Sequence, residues 1–188
     1  MRVLVTGFGP FLDNAVNPSD ALARELDGRR VEGVRLVACS PLPVVHGRAA
    51  DRALEAARRH GADAIVAFGL AAGTKRPRVE GVGRNRGAGR HADNAGRIAG
   101  GPVVPGAPAT RRATLPAAPV RQALFAAGIY SFASDDAGGY VCNDLFYRLL
   151  HAGAPTLFVH IPEHLDVRRA ASPFARGIAR AARAWARA

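Results

Sequence analysis

Three residues distant in the chain have the types that acyl-transfer chemistry needs: Cys142, His160 and Glu80. A nucleophilic thiol requires a base to take its proton and, usually, a third group to orient that base. Cys142 follows the Gly-rich turn Ala137-Gly138-Gly139 and stands at or near the start of a predicted helix. Unpaired N–H groups and the positive end of the helix dipole favour a thiolate there. The same N–H groups could donate to an oxyanion forming at a carbonyl. A small buried apolar residue fits that position equally well. His160 lies near the C-terminal end of a predicted strand, the end at which ligands gather in open α/β sheets. A strand histidine satisfied by a neighbour fits the same pattern. Glu80 is one of only five glutamates and follows Val79 in a basic, Gly-rich stretch. It serves either as the orienting carboxylate or as the partner of a nearby arginine.

Other chemistries fit less well. His160 and His164 are four apart with Glu163 between them, but Pro162 breaks the helix that would bring both rings to one metal. Thr6-Gly7-Phe8-Gly9-Pro10 holds a lone Gly-x-Gly without a third glycine, and Pro10 cannot open a phosphate-binding turn. Neither a Gly-Lys-Ser/Thr phosphate loop nor a Gly-x-Ser-x-Gly elbow occurs. The other cysteine, Cys39, lies on an apolar strand and reads as core.

The surrounding pattern predicts elements able to position these groups. Val3-Leu4-Val5 is a short buried strand, and Asn17 or Ser19 can cap a helix over Ala21–Leu26 with Gly28 beyond its end. Val34–Ala38 is a second strand. Ala50, Leu54 and Ala57 mark a helix from about Gly47 to Arg59, stopped at Gly61, before the strand Ala64–Phe68. That alternation predicts a parallel sheet covered on both faces. Residues 81–116, rich in Gly, Pro and Arg, show no pattern of regular structure. Val120–Ala126 and Val141–Leu150 read as helices, and Ile129–Phe132 and Thr156–Ile161 as strands. A last helix runs from about Phe174, its Phe174, Ile178, Ala181 and Trp185 stripe opposite Arg176, Arg180, Arg183 and Arg187. Neither an internal repeat nor a linker separates a second domain.

The 188 residues are 48% hydrophobic and 22% charged, which excludes wholesale disorder. No apolar run approaches the roughly 18 residues that span a bilayer. The opening apolar run stops after three residues, short of the roughly 7–15 of a secretory leader. With two cysteines, too few for a disulfide framework, a cytoplasmic protein with reduced thiols is expected. The net charge of +11 invites a nucleic-acid reading. All but Lys75 of the 26 basic residues are arginine, however, and only 6% of residues are aromatic. Dispersed, solvated charge is the expectation, since a nucleic-acid surface clusters its cations with aromatics.

The motifs together resemble the pyrrolidone-carboxylate peptidase, or pyroglutamyl peptidase I, family almost end to end. Val3-Leu4-Val5-Thr6-Gly7-Phe8-Gly9-Pro10-Phe11 with Asn17-Pro18-Ser19 is similar to its opening signature. Arg90 with Asp93-Asn94-Ala95-Gly96, and Thr114-Leu115-Pro116, resemble its central segments. Ser134, Ala137-Gly138 and Tyr140 to Asn143, with Leu145-Phe146-Tyr147, resemble its nucleophile motif, and Phe158 to Pro162 its histidine strand.

The resemblance implies a triad of Cys142 as nucleophile, His160 as base and Glu80 as orienter. It further implies Phe8, Phe11 and Asn17 around a lactam ring, and Arg90 near the oxyanion. A single three-layer α/β/α domain over 1–188 with a mixed, mostly parallel sheet is implied. So are a cytoplasmic location, no metal or other cofactor, and a dimer or tetramer acting on peptides with N-terminal pyroglutamate. Neither a membrane nor nucleic acid is an expected partner. Arg84, Arg86 and Arg90 would favour a thiolate if they fold over the site. The chain departs from the family pattern at Leu70, where a glutamine is common, at Leu12, where glycine is usual, and at Asp144, where histidine is frequent. Leu70 motivates one alternative, a cysteine amidohydrolase of this fold with a different N-terminal acyl preference. The charge motivates another, an idle relative that binds nucleic acid.

Overall fold

The computed structural model of the chain describes residues 1–11 and 16–188, so Leu12 lies outside the described residues. Val3-Leu4-Val5 extends into strand β1 (Arg2–Phe8), followed by helix α1 (Pro18–Leu26). Asn17 is the N-cap: its Oδ1 accepts from Ser19 N at 3.1 Å and from Ser19 Oγ at 2.7 Å. Its Nδ2 donates to Gly9 O at 3.0 Å, while Phe8 N donates to Ser19 Oγ at 3.0 Å. One polar cluster thus ties the end of β1 to the start of α1. The approach is so close that a Cβ on Gly7 would lie 2.0 Å from Ser19 O.

Strands β2 (Arg30–Val31) and β3 (Val34–Leu42) follow, then helix α2 (Arg48–His60) and strand β4 (Ala64–Leu70). Gly61 ends α2 in the left-handed conformation at φ 57°, as a helix terminus favours. The segment expected to lack pattern forms five short strands with its neighbours: β5 (Arg78–Glu80), β6 (Val82–Arg84), β7 (Gly87–Ala92), β8 (Ile98–Gly101) and β9 (Thr110–Arg112). β6 pairs with β9 and β7 with β8, each as an antiparallel ribbon. These ribbons are held by backbone bonds and bury little, so no apolar alternation announces them.

Helix α3 (Ala118–Phe125) precedes strand β10 (Phe132–Ser134), which lies later than the expected strand at 129–132. The chain is still turning there: Ile129 N bonds back to Leu124 O and Gly128 has φ 73°. Helix α4 (Val141–His151), strand β11 (Thr156–Ile161) and helix α5 (Val167–Trp185) complete the chain. α5 begins seven residues before the expected start at Phe174, because Asp166 Oδ1 caps Arg169 N at 3.0 Å. Pro173 sits inside the helix and forfeits a backbone hydrogen bond to the preceding turn.

The main sheet has the order β10-β5-β11-β4-β1-β3-β2. β3, β1, β4 and β11 are parallel; β2 and β5 run antiparallel to their neighbours β3 and β11, and β10 pairs parallel with β5. Val3, Val66, Phe68, Val159 and their neighbours pack under α1, α3 and α5. Leu4, Ile65, Ala67 and Phe158 pack under α2 and α4. The result is a three-layer α/β/α fold with a mixed, mostly parallel sheet, as expected. The period of two along β11 places His160 on the α2/α4 face with Phe158.

Replacing Asn17 by Ala removes the cap and both ties to Gly9 and Ser19. The expected loss is about 1–2 kcal/mol of unfolding free energy, read as a lower urea midpoint. An unchanged midpoint would remove Asn17 from this structural role.

Candidate active site

His160 is the penultimate residue of β11, flanked in register by Gly69 on β4 and Arg78 on β5. Glu80 lies opposite Phe158 on the antiparallel β5 and is fully buried. Its Oε1 is 2.7 Å from His160 Nδ1. A carboxylate oxygen accepts, so the Nδ1–H donates and Nε2 is left as the basic nitrogen. Phe158 packs its ring against the imidazole with centroids 4.9 Å apart.

Cys142 is the second residue of α4. Gly138, at φ 83°, makes the preceding turn, and Tyr140 is an extended N-cap without a side-chain capping bond. The first helical bond runs from Asp144 N to Tyr140 O at 3.0 Å, so the earlier N–H groups of this turn have no intrahelical acceptor. The sulfur rests on the sheet over Gly69, where a Cβ would lie 2.7 Å from Sγ. Gly69 is the register partner of His160, so the thiol lies over the strand next to the one that carries the imidazole, on the same face of the sheet.

Burial pushes the Cys142 thiol up to about 12; the charge of Glu80 adds to this, and Arg78 opposes it. Burial likewise holds His160 below its usual value against the pull of Glu80, with Arg78 acting in the direction of burial. The resting pair is a thiol and a neutral imidazole. Desolvation of a thiolate thus opposes the helix start, whose dipole favours one. Arg84 and Arg86 are also placed elsewhere: both pair with Asp136, at 3.6 and 4.0 Å.

A mostly apolar pocket of about 160 Å3 opens beside Cys142, and Phe8, Phe11, Asn17, Leu70 and Tyr140 are among the residues that line it. The expected ring contacts Phe8, Phe11 and Asn17 thus gather with the thiol. The Asn17 side chain, however, spends both its ends on Gly9 and Ser19. Arg90 does not line this pocket; it is exposed on β7. The ribbon is held to the nucleophile turn elsewhere, by Ala88 N donating to Gly139 O at 2.9 Å and Tyr140 OH donating to Ala92 O at 2.9 Å.

Three residues to which the sequence assigns no role hold the site together. Asn143 is buried and exchanges hydrogen bonds with the Arg84 backbone, N to Oδ1 at 2.9 Å and Nδ2 to O at 2.8 Å, which fixes the first turn of α4. Asp144 accepts from Gly47 N at 2.8 Å and so caps α2. Arg78 touches both His160 and Glu80, and its spacing two before Glu80 on a strand is the signal that could have found it. Among the described residues no group of three or more His, Cys, Asp or Glu could hold a metal ion.

With the thiol raised this far, alkylation of Cys142 by iodoacetamide, followed site by site by mass spectrometry, is expected to keep rising through pH 9. An ordinary thiol, with a pKa of about 8.5, is levelling off by then. A plateau below pH 8 would mean a preformed thiolate.

Residues 1–164 match the family model described as pyroglutamyl peptidase. The chain is 43% identical over 168 residues to a pyrrolidone-carboxylate peptidase of Gloeobacter violaceus, covering 86% of this chain and 82% of that one. It is 40% identical over 181 residues to a pyrrolidone-carboxylate peptidase of Ralstonia nicotianae, covering 91% and 82%. In structure it is similar to pyroglutamyl peptidase I of Bacillus amyloliquefaciens, with a TM-score of 0.90, 28% identity and 97% of each chain covered. Pyrrolidone carboxyl peptidase of Pyrococcus furiosus superposes with a TM-score of 0.90 at 29% identity, covering 98% of this chain and 100% of that one.

Proposed function

The chain belongs to the pyroglutamyl peptidase family, and from that premise we propose that it is a cysteine exopeptidase that hydrolyses the amide bond after an N-terminal pyroglutamyl residue. The observation that carries the assignment to named residues is the Glu80–His160 hydrogen bond of 2.7 Å beside the thiol over Gly69.

The lactam ring enters the pocket formed by Phe8, Phe11 and Tyr140, and the exocyclic carbonyl carbon that joins pyroglutamate to the next residue meets Cys142 Sγ. His160 Nε2 takes the thiol proton as the C–S bond forms, since neither partner is charged at rest. The oxyanion is received by the unpaired N–H groups at the start of α4. The imidazolium, stabilised through Nδ1 by Glu80, gives its proton to the leaving amine. Water deprotonated by His160 then cleaves the thioester, releasing pyroglutamate and restoring the thiol.

We read residues 1–188 as one peptidase domain without a cofactor. A free catalytic thiol fits a reducing, cytoplasmic compartment. The exposed Phe125, Tyr130 and Phe132 offer apolar area for assembly into a dimer or tetramer. Ion pairs such as Arg24 with Asp20, Arg29 with Glu25 and Arg180 with Glu32 neutralise part of the basic charge and favour the peptidase over a nucleic-acid module. Leu70, an apolar wall beside Cys142, supports a second reading in which other N-terminal acyl groups compete with pyroglutamyl.

The deciding assay is hydrolysis of a pyroglutamyl fluorogenic amide beside a panel of other N-terminal acyl amides. Wild type is expected to turn over the pyroglutamyl amide preferentially, Cys142→Ala to be inactive, and Glu80→Gln to lose roughly two orders of magnitude or more in kcat. Turnover by Cys142→Ala would reject the nucleophile. Preference for another acyl group would transfer the assignment to the second reading.

A further inference from the structure

Among the groups around the thiol and imidazole, one charged side chain has no part in the steps above. Arg78 stands directly opposite His160 across the antiparallel β5–β11 pair, where facing Cβ atoms lie about 4.5–5.5 Å apart. Its Nη2 is 3.3 Å from His160 Nδ1, and its Nε is 3.3 Å from Glu80 Oε1. The guanidinium is about one-quarter exposed and Glu80 not at all, so the contact is made at the inner edge of the site.

From this juxtaposition we propose that Arg78 is a positioning residue whose cation, set beside both the Glu80 carboxylate and the His160 ring, biases the Cys142–His160 pair toward neutral imidazole and ready thiolate. The inference rests on the reading of Cys142, His160 and Glu80 as a hydrolytic triad. Nδ1 already donates its proton to Glu80, so it cannot also accept from Arg78, and the arginine acts on the ring through its charge. A cation at this distance penalises a second proton on the imidazole and rewards negative charge on sulfur. The shifts at both groups carry that sign from Arg78.

The other groups facing the pair are few. β5 presents Glu80, and α4 presents Cys142 behind the Tyr140 cap, whose phenol burial pushes up to about 12. β4 presents Gly69 and β11 presents Phe158, neither of which titrates. Arg84 and Arg86 are engaged with Asp136. Arg78 is thus the cation in contact with the dyad among the described residues.

The test compares wild type with Arg78→Met and Arg78→Lys, using Arg78→Gln in place of the methionine variant if the latter does not fold. Two readouts are taken: the rate of Cys142 alkylation by iodoacetamide at pH 8, and the acidic limb of kcat/KM on a pyroglutamyl amide. Loss of the cation raises the thiol pKa, so alkylation is expected to slow by roughly three- to tenfold. It also raises the imidazole pKa, so the acidic limb is expected to move up by roughly half to one pH unit. Lysine, which keeps the charge, is expected to recover most of both effects, which a merely structural contact would not. Alkylation within twofold of wild type and an unmoved acidic limb in the uncharged variant would overturn the proposal. So would a lysine variant indistinguishable from it. If wild type fails to hydrolyse pyroglutamyl amides, the functional reading falls, while the alkylation ratio still decides the role of Arg78.

Discussion

The hydrogen bond from His160 to Glu80 depends on one local reversal of the sheet. β5 enters antiparallel beside β11 and places Glu80 opposite Phe158, not opposite His160. The pair therefore meets across a diagonal, where Cβ atoms are about 7–8 Å apart and only a long side chain can close the gap. Glutamate reaches to 2.7 Å; aspartate, one methylene shorter, would stop short of the ring. Glu80 Oε2 is buried without a partner, so all the compensation for burying this carboxylate comes through Oε1, from His160 and the neighbouring arginine. Because both contacts fall on one oxygen, the geometry of β5 is a condition for the proposed base to be oriented.

The proposed nucleophile arrives from the opposite direction, carried on the first turn of α4. Two features let it come down onto the sheet. Gly69 leaves a gap where any Cβ would collide with Sγ, and Gly139 lets β7 approach so near that a Cβ would lie 2.7 Å from Ala88 N. Asn143 and Asp144 then lock the turn in place, one to the backbone of Arg84 and the other to the start of α2. Substituting Asp144 for the residue frequent in the family thus has a structural meaning here: its carboxylate caps α2 and pairs with Arg148 at 3.0 Å.

What could be read from the amino-acid order divides along physical lines. β11 and the helix carrying Cys142 were legible because buried strands and amphipathic helices impose apolar patterns that span many residues. The two ribbons between β5 and α3 were not, since Gly and Arg strands that bury little leave no such pattern. Glu80 was legible as a residue type, but not the register that aims it, and Arg90 shows the same limit in reverse. Its motif is intact, yet the strand that carries it exposes it to solvent. The helix start that favours a Cys142 thiolate is visible in sequence, whereas the burial that opposes it, with the sulfur lying over Gly69, is purely tertiary.

β5 and β10 have three residues each and form the outer edge of the sheet, whereas β3, β1, β4 and β11 are covered on both faces. Protection against opening in a protein follows buried contacts, and short edge elements open at lower free energy than central ones. The carboxylate that orients the proposed base therefore rides on a short outer part of the sheet and not on its central strands. Detaching that edge would part Glu80 from His160 while the central strands and their helices stayed paired, so the proposed chemistry depends on a smaller cooperative unit than the fold does.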